Sequence, residues 1–139
     1  MPRSGQDYLT KVASDGCDAR LYGEKIQDVT THPAFKNTVA SCAGLYNFQC
    51  DDNNLELMTF VSPDTGERVN RAWYCPRSYE ELVTRREAMV AWDQLHYGLM
   101  GRLPDHVTST LAGLYMGLDT FKRYDKNRAE ALADFHRYA

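Results

Sequence analysis

The stretch "SYEELVTRREAMVAWDQLHYGLMGRLPDH", residues 78–106, decides the fold, because it joins the strongest helical pattern in the chain to a sharp corner. Ser78 and Glu81 match a capping box, in which each side chain accepts a hydrogen bond from the other residue's backbone N–H. The apolar residues that follow fall on one face at helical spacing: Leu82, Ala88, Met89, Trp92 and Leu95. The stretch therefore predicts a long helix with this face buried.

The end of the stretch predicts a corner between two helices. Gly98 and Gly101 weaken the first helix near its end. Pro104 suits the first turn of a second helix, where its missing N–H would have no partner in any case. The buried stripe of that second helix is expected at Val107, Leu111, Leu114 and Leu118.

Upstream, two more helices and two extended pieces are predicted. Ser4 and Asp7 open a helix over "GQDYLTKVAS" that ends near Gly16, followed by a short extended "ARLY" and a turn at 23–25. Thr31 and Pro33 are expected to start the next helix. That helix presents Phe35, Val39, Cys42 and Tyr46 on one face.

The rest of the chain supplies a hairpin and a terminal helix. "LELMTF" and "RVNRAWY" flank a Pro-Asp-Thr-Gly turn, which predicts a β-hairpin from Leu57 to Tyr74. An amphipathic segment, "KNRAEALADFHRYA", runs to the C-terminus. We therefore predict a mainly α protein with a small β-hairpin and about five helices, in a single domain over residues 1–139.

Composition excludes some function classes. Hydrophobic residues make up 43% of the 139 residues and charged residues 25%, which is a globular balance. A formal net charge of −3 argues against a general nucleic-acid binder. No apolar run is long enough to span a bilayer and no secretory signal is present, so a cytoplasmic protein without membrane association is expected.

Standard catalytic and metal motifs are missing from the sequence. The four cysteines (Cys17, Cys42, Cys50 and Cys75) form no CxxC pair, so free thiols are expected and a metal site is not, with Cys42 in the core. There is no phosphate-binding glycine loop, GxSxG or HExxH sequence. Three histidines have ordinary explanations: His32 as a turn or cap residue, His96 at the periphery and His136 in solvent.

The corner holds the residues that are best suited to catalysis or ligand binding. Arg102 precedes a helix N-terminus, and its guanidinium should face solvent, a carboxylate or an anionic ligand. Asp105 lies in the first helical turn, where a carboxylate interacts well with free N–H groups. His106 could share a cavity with Arg102. From these residues alone, a solvated loop arginine, a capping aspartate and a surface or core-edge histidine are the favoured explanation, and the corner does not define a function.

Several runs together resemble a known family. The opening "SGQDYL", the segment "YGEKIQDVTTHPAFKNTVASCAGLY" and the segment "YCPRSYEELVTRREAMVAWDQLHYGLMGRLPDH" are similar to the N-terminal domain of the 4-hydroxyphenylacetate 3-hydroxylase family. These are the oxygenase components of two-component aromatic monooxygenases. The resemblance implies the N-terminal helical domain of an acyl-CoA-dehydrogenase-like flavoprotein. It also implies that the family's middle β domain and C-terminal helical bundle are absent from this chain.

The resemblance implies an activity and roles for the corner residues. The implied reaction is hydroxylation of a phenol ortho to its hydroxyl, with O2 and reduced FAD from a separate reductase. Arg102 matches the family arginine that holds the phenol oxygen, and His106 stands where the family has a tyrosine. Asp105 is then a helix cap next to these residues and does not contact the substrate. Residues that bind the cofactor are not assigned, and tight FAD binding to this chain alone is not expected. A second chain with the missing domains and an oligomeric assembly are implied partners.

Two alternatives stand beside this interpretation. One is a non-catalytic, truncated remnant of the same fold, or a module for protein interaction. The other is 4-hydroxybutyryl-CoA dehydratase, a related enzyme whose cluster cysteines would align near Tyr97 and Gly101. Because neither position is cysteine here, the dehydratase is disfavoured.

Overall fold

A computed structural model of the chain describes residues 2–16, 18–100 and 104–138. Three residues from the sequence interpretation, Cys17, Gly101 and Arg102, lie outside the described residues. The chain forms two compact units, Met1–Glu56 and Leu57–Ala139. No helix in the described ranges combines the length and apolar character that crossing a membrane requires.

The first unit is built on two packed helices, α1 (Gly5–Ser14) and α2 (Lys36–Cys50). The predicted start of α1 is confirmed, because Ser4 and Asp7 form a complete capping box. Gly5 allows the two helices to approach closely, since a Cβ there would lie 2.4 Å from the carbonyl oxygen of Ala43. The Gly5 N–H also donates to Asn47 Oδ1 at 3.0 Å. A side chain at position 5 would separate the helices.

A two-residue hairpin follows α1, where the sequence predicted only an extended piece and a turn. Strand β1 (Arg20–Leu21) pairs antiparallel with β2 (Glu24–Lys25). The turn lies at Tyr22 and Gly23, whose φ angles of 52° and 88° are both positive. Two positive φ angles match the right-handed twist of paired strands. The expected turn at 23–25 is therefore displaced towards the N-terminus.

The predicted start of the second helix is wrong. Helix α2 begins at Lys36 without a side-chain cap, not at Thr31 and Pro33. Asp28 accepts hydrogen bonds from the Thr30 N–H at 2.8 Å and the Thr30 hydroxyl at 2.6 Å. These bonds hold the preceding residues in a turn, and local side-chain bonding of this kind competes with helix formation.

Two side-chain expectations in the first unit have different outcomes. His32 is a turn residue as predicted, because its Nδ1 accepts the N–H of Ala34 at 3.1 Å. Cys42 is only half-buried. The buried positions next to it are those of Ala43 and Leu45, which are 5% and 2% exposed.

The second unit carries the predicted hairpin and most of the helices. Its elements are β3 (Thr59–Val61), β4 (Arg68–Asn70), a 3-10 helix (Arg71–Trp73), α4 (Tyr79–Gln94), α5 (Pro104–Met116), α6 (Leu118–Lys122) and α7 (Lys126–Tyr138). A four-residue helix, α3 (Leu55–Met58), precedes β3. The strands are antiparallel, with Phe60 opposite Val69. The fold class, mainly α with a small hairpin, is confirmed.

The hairpin is shorter than the predicted span of Leu57 to Tyr74. Helix α3 and the 3-10 helix occupy its two outer ends. Arg71 connects these ends, because its guanidinium donates to the carbonyl oxygens of Leu57 at 2.6 Å and Thr59 at 2.5 Å. A side chain that satisfies backbone carbonyls takes the place of strand pairing here.

The buried face of α4 is narrower than the sequence predicted. Ala88 and Trp92 are buried, at 0% and 1% exposed, but Leu82 and Leu95 are 50% and 46% exposed. The cause is the small size of the element that packs on α4, the short 3-10 helix, where Ala72 is 1% exposed. A one-turn helix covers only part of a four-turn helix.

The predicted stripe of α5 is also wrong, although the helix starts at Pro104 as expected. Val107 is 61% exposed and Leu114 is 38% exposed, whereas Ala112 is 2% exposed. Helix α5 packs against the 3-10 helix and α7. The buried residue of α5 is therefore the small Ala112 rather than the larger apolar residues of the predicted stripe.

Replacing Ser78 by alanine is expected to lower the free energy of unfolding of the second unit by about 1 kcal/mol, the usual effect of losing an N-cap side chain. Ser78 Oγ accepts the Glu81 N–H at 3.2 Å, and the Glu81 carboxylate accepts the Ser78 N–H at 3.2 Å. Urea titration followed by circular dichroism measures the change. The control is Thr84→Ala, inside α4, where no loss is expected; equal losses in both variants would contradict the capping role.

Candidate active site

The corner begins with a hydrogen-bonded loop after α4. The Gly98 N–H donates to the Asp93 carbonyl at 3.1 Å, and the Leu99 N–H donates to the His96 carbonyl at 3.0 Å. The Met100 N–H donates to His96 Nδ1 at 3.2 Å. The chain therefore leaves α4 along a defined path towards the position of Arg102.

His96 holds this loop, so its predicted peripheral position is wrong. Its side chain is only 12% exposed, and Nε2 lies 3.8 Å from Asp93 Oδ1. Because Nδ1 accepts a hydrogen bond, the neutral ring carries its proton on Nε2, towards Asp93. The imidazole thus holds Met100 through its Nδ1, while its buried Nε2 has no hydrogen-bond partner among the described residues.

Two successive residues of the loop have left-handed backbone conformations. Tyr97 has φ 56° and Gly98 has φ 70°. Glycine adopts this region readily, but it is unusual for a tyrosine. Open space surrounds Gly98, so the backbone angle rather than crowding favours glycine there. An uncommon conformation beside a candidate site is consistent with a functional constraint.

The three predicted site residues have different outcomes. Arg102 lies outside the described residues. Asp105 is half-buried in the first turn of α5, and the neighbouring His106 is exposed. Asp105 and His106 interact electrostatically. The grouping of His106 with Arg102 stays a prediction.

Asp105 has an unusual environment for a helix-start carboxylate. Burial raises its pKa above the ordinary value, and the negative charge of Asp93 adds to the increase. A hydrogen bond from its own backbone N–H and the charges of Arg85 and His106 act in the opposite direction. The backbone bond agrees with the predicted capping role, but the pKa shows a desolvated carboxylate among charged neighbours.

Arg85 is the residue that sequence reasoning missed. One of its terminal nitrogens, Nη2, donates to the Ala72 carbonyl at 2.8 Å and to Ser109 Oγ at 2.7 Å. Burial lowers the pKa of this guanidinium and the charge of Asp105 raises it. Helical spacing could have revealed Arg85, since it precedes the buried Ala88 and Trp92 by three and seven positions.

A second polar cluster surrounds His136 near the end of α7. The imidazole stacks on the Tyr115 ring with centroids 4.0 Å apart, and its Nε2 lies 3.7 Å from Cys75 Sγ. Its predicted solvation is therefore wrong. Burial lowers the pKa of His136 and raises the pKa of Cys75. A protonated thiol beside a neutral imidazole packs like an apolar pair and is a poor nucleophile.

Other parts of the described chain do not form a competing catalytic centre. Cys42, Cys50 and Cys75 are free thiols. Within residues 2–16, 18–100 and 104–138, no group of three or more His, Cys, Asp or Glu side chains could hold a metal ion. An open groove in the first unit is lined by residues without an ionisable side chain: Gln6, Leu9, Thr10, Ala13, Ser14 and Thr30.

Comparison with known proteins defines the class as the N-terminal part of a flavin-dependent oxygenase fold. The sequence pattern of the family described as "4-hydroxyphenylacetate 3-hydroxylase N terminal" matches residues 4–139. The 4-hydroxyphenylacetate 3-monooxygenase oxygenase component of Geobacillus sp. (strain PA-9) is 34% identical over 137 residues. That match covers 99% of this chain and 27% of the relative.

Solved structures of related proteins have the same fold as this chain. The oxygenase component of 4-hydroxyphenylacetate 3-monooxygenase, complexed with FAD and 4-hydroxyphenylacetate, superimposes with a TM-score of 0.88 at 29% identity, over 98% of this chain and 27% of that chain. An archaeal 4-hydroxybutyryl-CoA dehydratase from N. maritimus gives a TM-score of 0.79 at 19% identity, over 98% and 27%. The second likeness concerns the fold alone, and it confirms the scaffold that the resemblance implied.

The protein belongs to the 4-hydroxyphenylacetate 3-hydroxylase family, through the family's N-terminal domain. The chain spans about a quarter of the length of the relatives that it matches.

Proposed function

We propose that the chain is the N-terminal part of a reduced-FAD-dependent monooxygenase that hydroxylates a phenol ortho to its hydroxyl. The observation that carries the proposal is the corner between α4 and α5, in a chain that belongs to this family over residues 4–139. The corner places Asp105 and His106 on the first turn of α5, three and four residues after Arg102 in sequence. The structure of one relative contains both FAD and 4-hydroxyphenylacetate.

The proposed chemistry of these residues follows from charge. A guanidinium at Arg102 favours the phenolate over the phenol, because an adjacent positive charge lowers the pKa of a hydroxyl group. His106 is exposed and lies in the same segment, where an imidazole can accept the phenol proton. A phenolate ring is richer in electrons than a phenol, so it reacts more readily at its ortho carbon. Asp105 holds the turn and interacts with His106.

The described residues do not by themselves fit a flavin site. Large apolar side chains at the corner are open to solvent, with Tyr97 87% exposed, Leu99 86% exposed and Val107 61% exposed. Cofactor sites are largely enclosed and apolar. We therefore assign no flavin contact to this chain, and propose that a chain with the family's β domain and helical bundle covers the corner.

The remaining proposed partners follow from the same scheme. They are a phenolic substrate, a flavin reductase that supplies reduced FAD, and further subunits of an oligomer. The proposed location is the cytoplasm. The exposed apolar residues at the corner also favour a second candidate, a non-catalytic module that binds another protein through this surface. The two candidates differ in whether a phenol is bound and converted.

Reconstitution tests the proposed function. The chain is mixed with a separately produced polypeptide that carries the β domain and bundle of the Geobacillus relative, together with FAD, a flavin reductase, NADH and O2. The phenols are 4-hydroxyphenylacetate and 4-nitrophenol. Formation of the catechol, measured by chromatography, supports the proposal. A folded complex that produces only hydrogen peroxide would contradict it, and would favour the interaction module.

His106→Tyr is expected to leave hydroxylation in the reconstituted enzyme within about threefold of the unchanged chain, because a tyrosine hydroxyl can donate a hydrogen bond to the same phenol oxygen. Steady-state catechol formation at several phenol concentrations gives kcat and KM. His106→Phe removes the polar group and is the matched control, with a clear loss expected. If His106→Tyr loses as much activity as His106→Phe, the histidine has a role of its own.

A further inference from the structure

Arg85 joins three parts of the second unit. It extends from α4, and its Nη2 donates to the Ala72 carbonyl in the 3-10 helix at 2.8 Å and to Ser109 Oγ in α5 at 2.7 Å. Ser109 lies one helical turn beyond Asp105 and three residues beyond His106. One guanidinium therefore connects the buried centre of α4 to the start of the helix that carries the candidate site.

Charge connects Arg85 to the same turn. Asp105 and Arg85 attract each other, and each moves the pKa of the other towards its charged form. Two other charged groups face Asp105: Asp93 from α4 repels it, and His106 from α5 attracts it. Cys75, which precedes α4, also faces Arg85. Arg85 thus offsets part of the repulsion that Asp93 exerts on Asp105.

The hydrogen bonding of Arg85 is incomplete for a purely structural group. Its Nε is buried and has no hydrogen-bond partner among the described residues. A buried donor without a partner destabilises a fold, and an apolar side chain of similar length would avoid that cost. The arginine is therefore better explained by the two hydrogen bonds of its Nη2, to Ala72 and Ser109, and by its charge near Asp105.

We propose that Arg85 is a positioning residue that fixes the first two turns of α5 against α4 and the 3-10 helix and places its charge beside Asp105, so that His106 is presented in one orientation. Its connection to phenol binding rests on the proposed function. The orientation of α5 and the charge state of Asp105 do not depend on that function and are measurable in the 139-residue chain alone.

The test compares the unchanged chain with Arg85→Met and Arg85→Lys. The control is Arg86→Met, because Arg86 is the exposed neighbour on the same helix. Carbon-detected NMR titration follows the Asp105 carboxyl, and amide hydrogen exchange follows Ser109 and Thr110. Arg85→Met should raise the pKa of Asp105, since an attractive charge is lost. It should also speed exchange at these amides about tenfold, as expected for one lost hydrogen bond of average strength.

The other variants separate charge from geometry. Arg85→Lys should restore most of the Asp105 titration, but only part of the exchange protection, because an ammonium has the charge without the planar fork. Arg86→Met should change neither quantity. An unchanged Asp105 titration in folded Arg85→Met would overturn the proposal.

A further variant keeps the proposal testable if Arg85→Met does not fold. Ser109→Ala removes one acceptor and leaves the charge. It should speed amide exchange in the first turns of α5, with Asp105 titrating as in the unchanged chain. Exchange that is unaffected in both Ser109→Ala and Arg85→Lys would overturn the positioning role.

The reconstituted enzyme gives the functional readout. Arg85→Lys should raise KM for the phenol several-fold with a smaller change in kcat, because a displaced site binds the substrate less well. If the unchanged chain forms no catechol, the proposed function fails while the NMR result still decides the role of Arg85. If the unchanged chain is active and Arg85→Lys has the same KM, the connection to phenol binding fails.

Discussion

Replacing Arg102 by alanine is expected to weaken phenol binding to the completed enzyme by roughly 10- to 150-fold. That range corresponds to the loss of a hydrogen bond with a charged partner, about 1.5–3 kcal/mol. The expected cause is the loss of the guanidinium that favours the phenolate form of the substrate. Equilibrium binding of 4-hydroxyphenylacetate to the oxidised, reconstituted enzyme, followed by calorimetry, measures the change.

Three comparisons show whether the effect belongs to Arg102. Arg102→Lys retains the charge but loses the planar fork, so an intermediate affinity is expected. Arg86→Ala removes an exposed arginine from α4 and should leave binding unchanged. The pH dependence provides a third comparison, because the alanine variant should need a higher pH to bind the phenolate. Equal affinities for Arg102→Ala and the unchanged chain would show that another group holds the phenol oxygen.

Replacing Trp92 by alanine is expected to lower the free energy of unfolding of the second unit by about 3–5 kcal/mol, the usual range for deleting a large buried aromatic side chain. Trp92 is 1% exposed, and with Ala88 it forms the buried face of α4. The loss combines the lost burial of apolar surface with the cavity that remains. Because most domains are stable by only about 5–15 kcal/mol, this unit would be close to unfolding.

Urea denaturation measured by circular dichroism tests this expectation, and Trp92→Phe should lose less because it leaves a smaller cavity. The matched control is Leu95→Ala, at the C-terminal cap of the same helix. Leu95 is 46% exposed, so its loss should stay below about 1 kcal/mol. Similar losses for Leu95→Ala and Trp92→Ala would show that the exposed leucine is as important to stability as the buried tryptophan.

Local signals predicted the starts of helices well. The capping boxes at Ser4 and Ser78 were both identified, and Pro104 begins α5 as expected. In each case the residues that form the signal lie within four positions of each other. The start of α2 was not identified, because the side chain of Asp28 holds a turn that competes with an early helix start.

The sequence placed two of the candidate site residues at a helix start. Asp105 and His106 lie in the first turn of α5, as Pro104 predicted, and their roles stay a prediction. Arg85 was missed because its importance depends on a distant acceptor, Ser109, which only the packing of α4 and α5 brings within 2.7 Å. His96 was misjudged for a similar reason, since burial of its ring depends on the path of the loop.

By itself, the sequence determined the family, the mainly α class, the hairpin and the position of the corner, because these depend on short-range patterns and on motifs in a fixed order. Only the tertiary structure decided which helix faces are buried and which charges meet. The small residues Ala88 and Ala112 are buried, and leucines that look like core residues remain exposed. The physical reason is that burial depends on the size and position of the packing partner, and hydrophobicity along one helix contains no information about that partner.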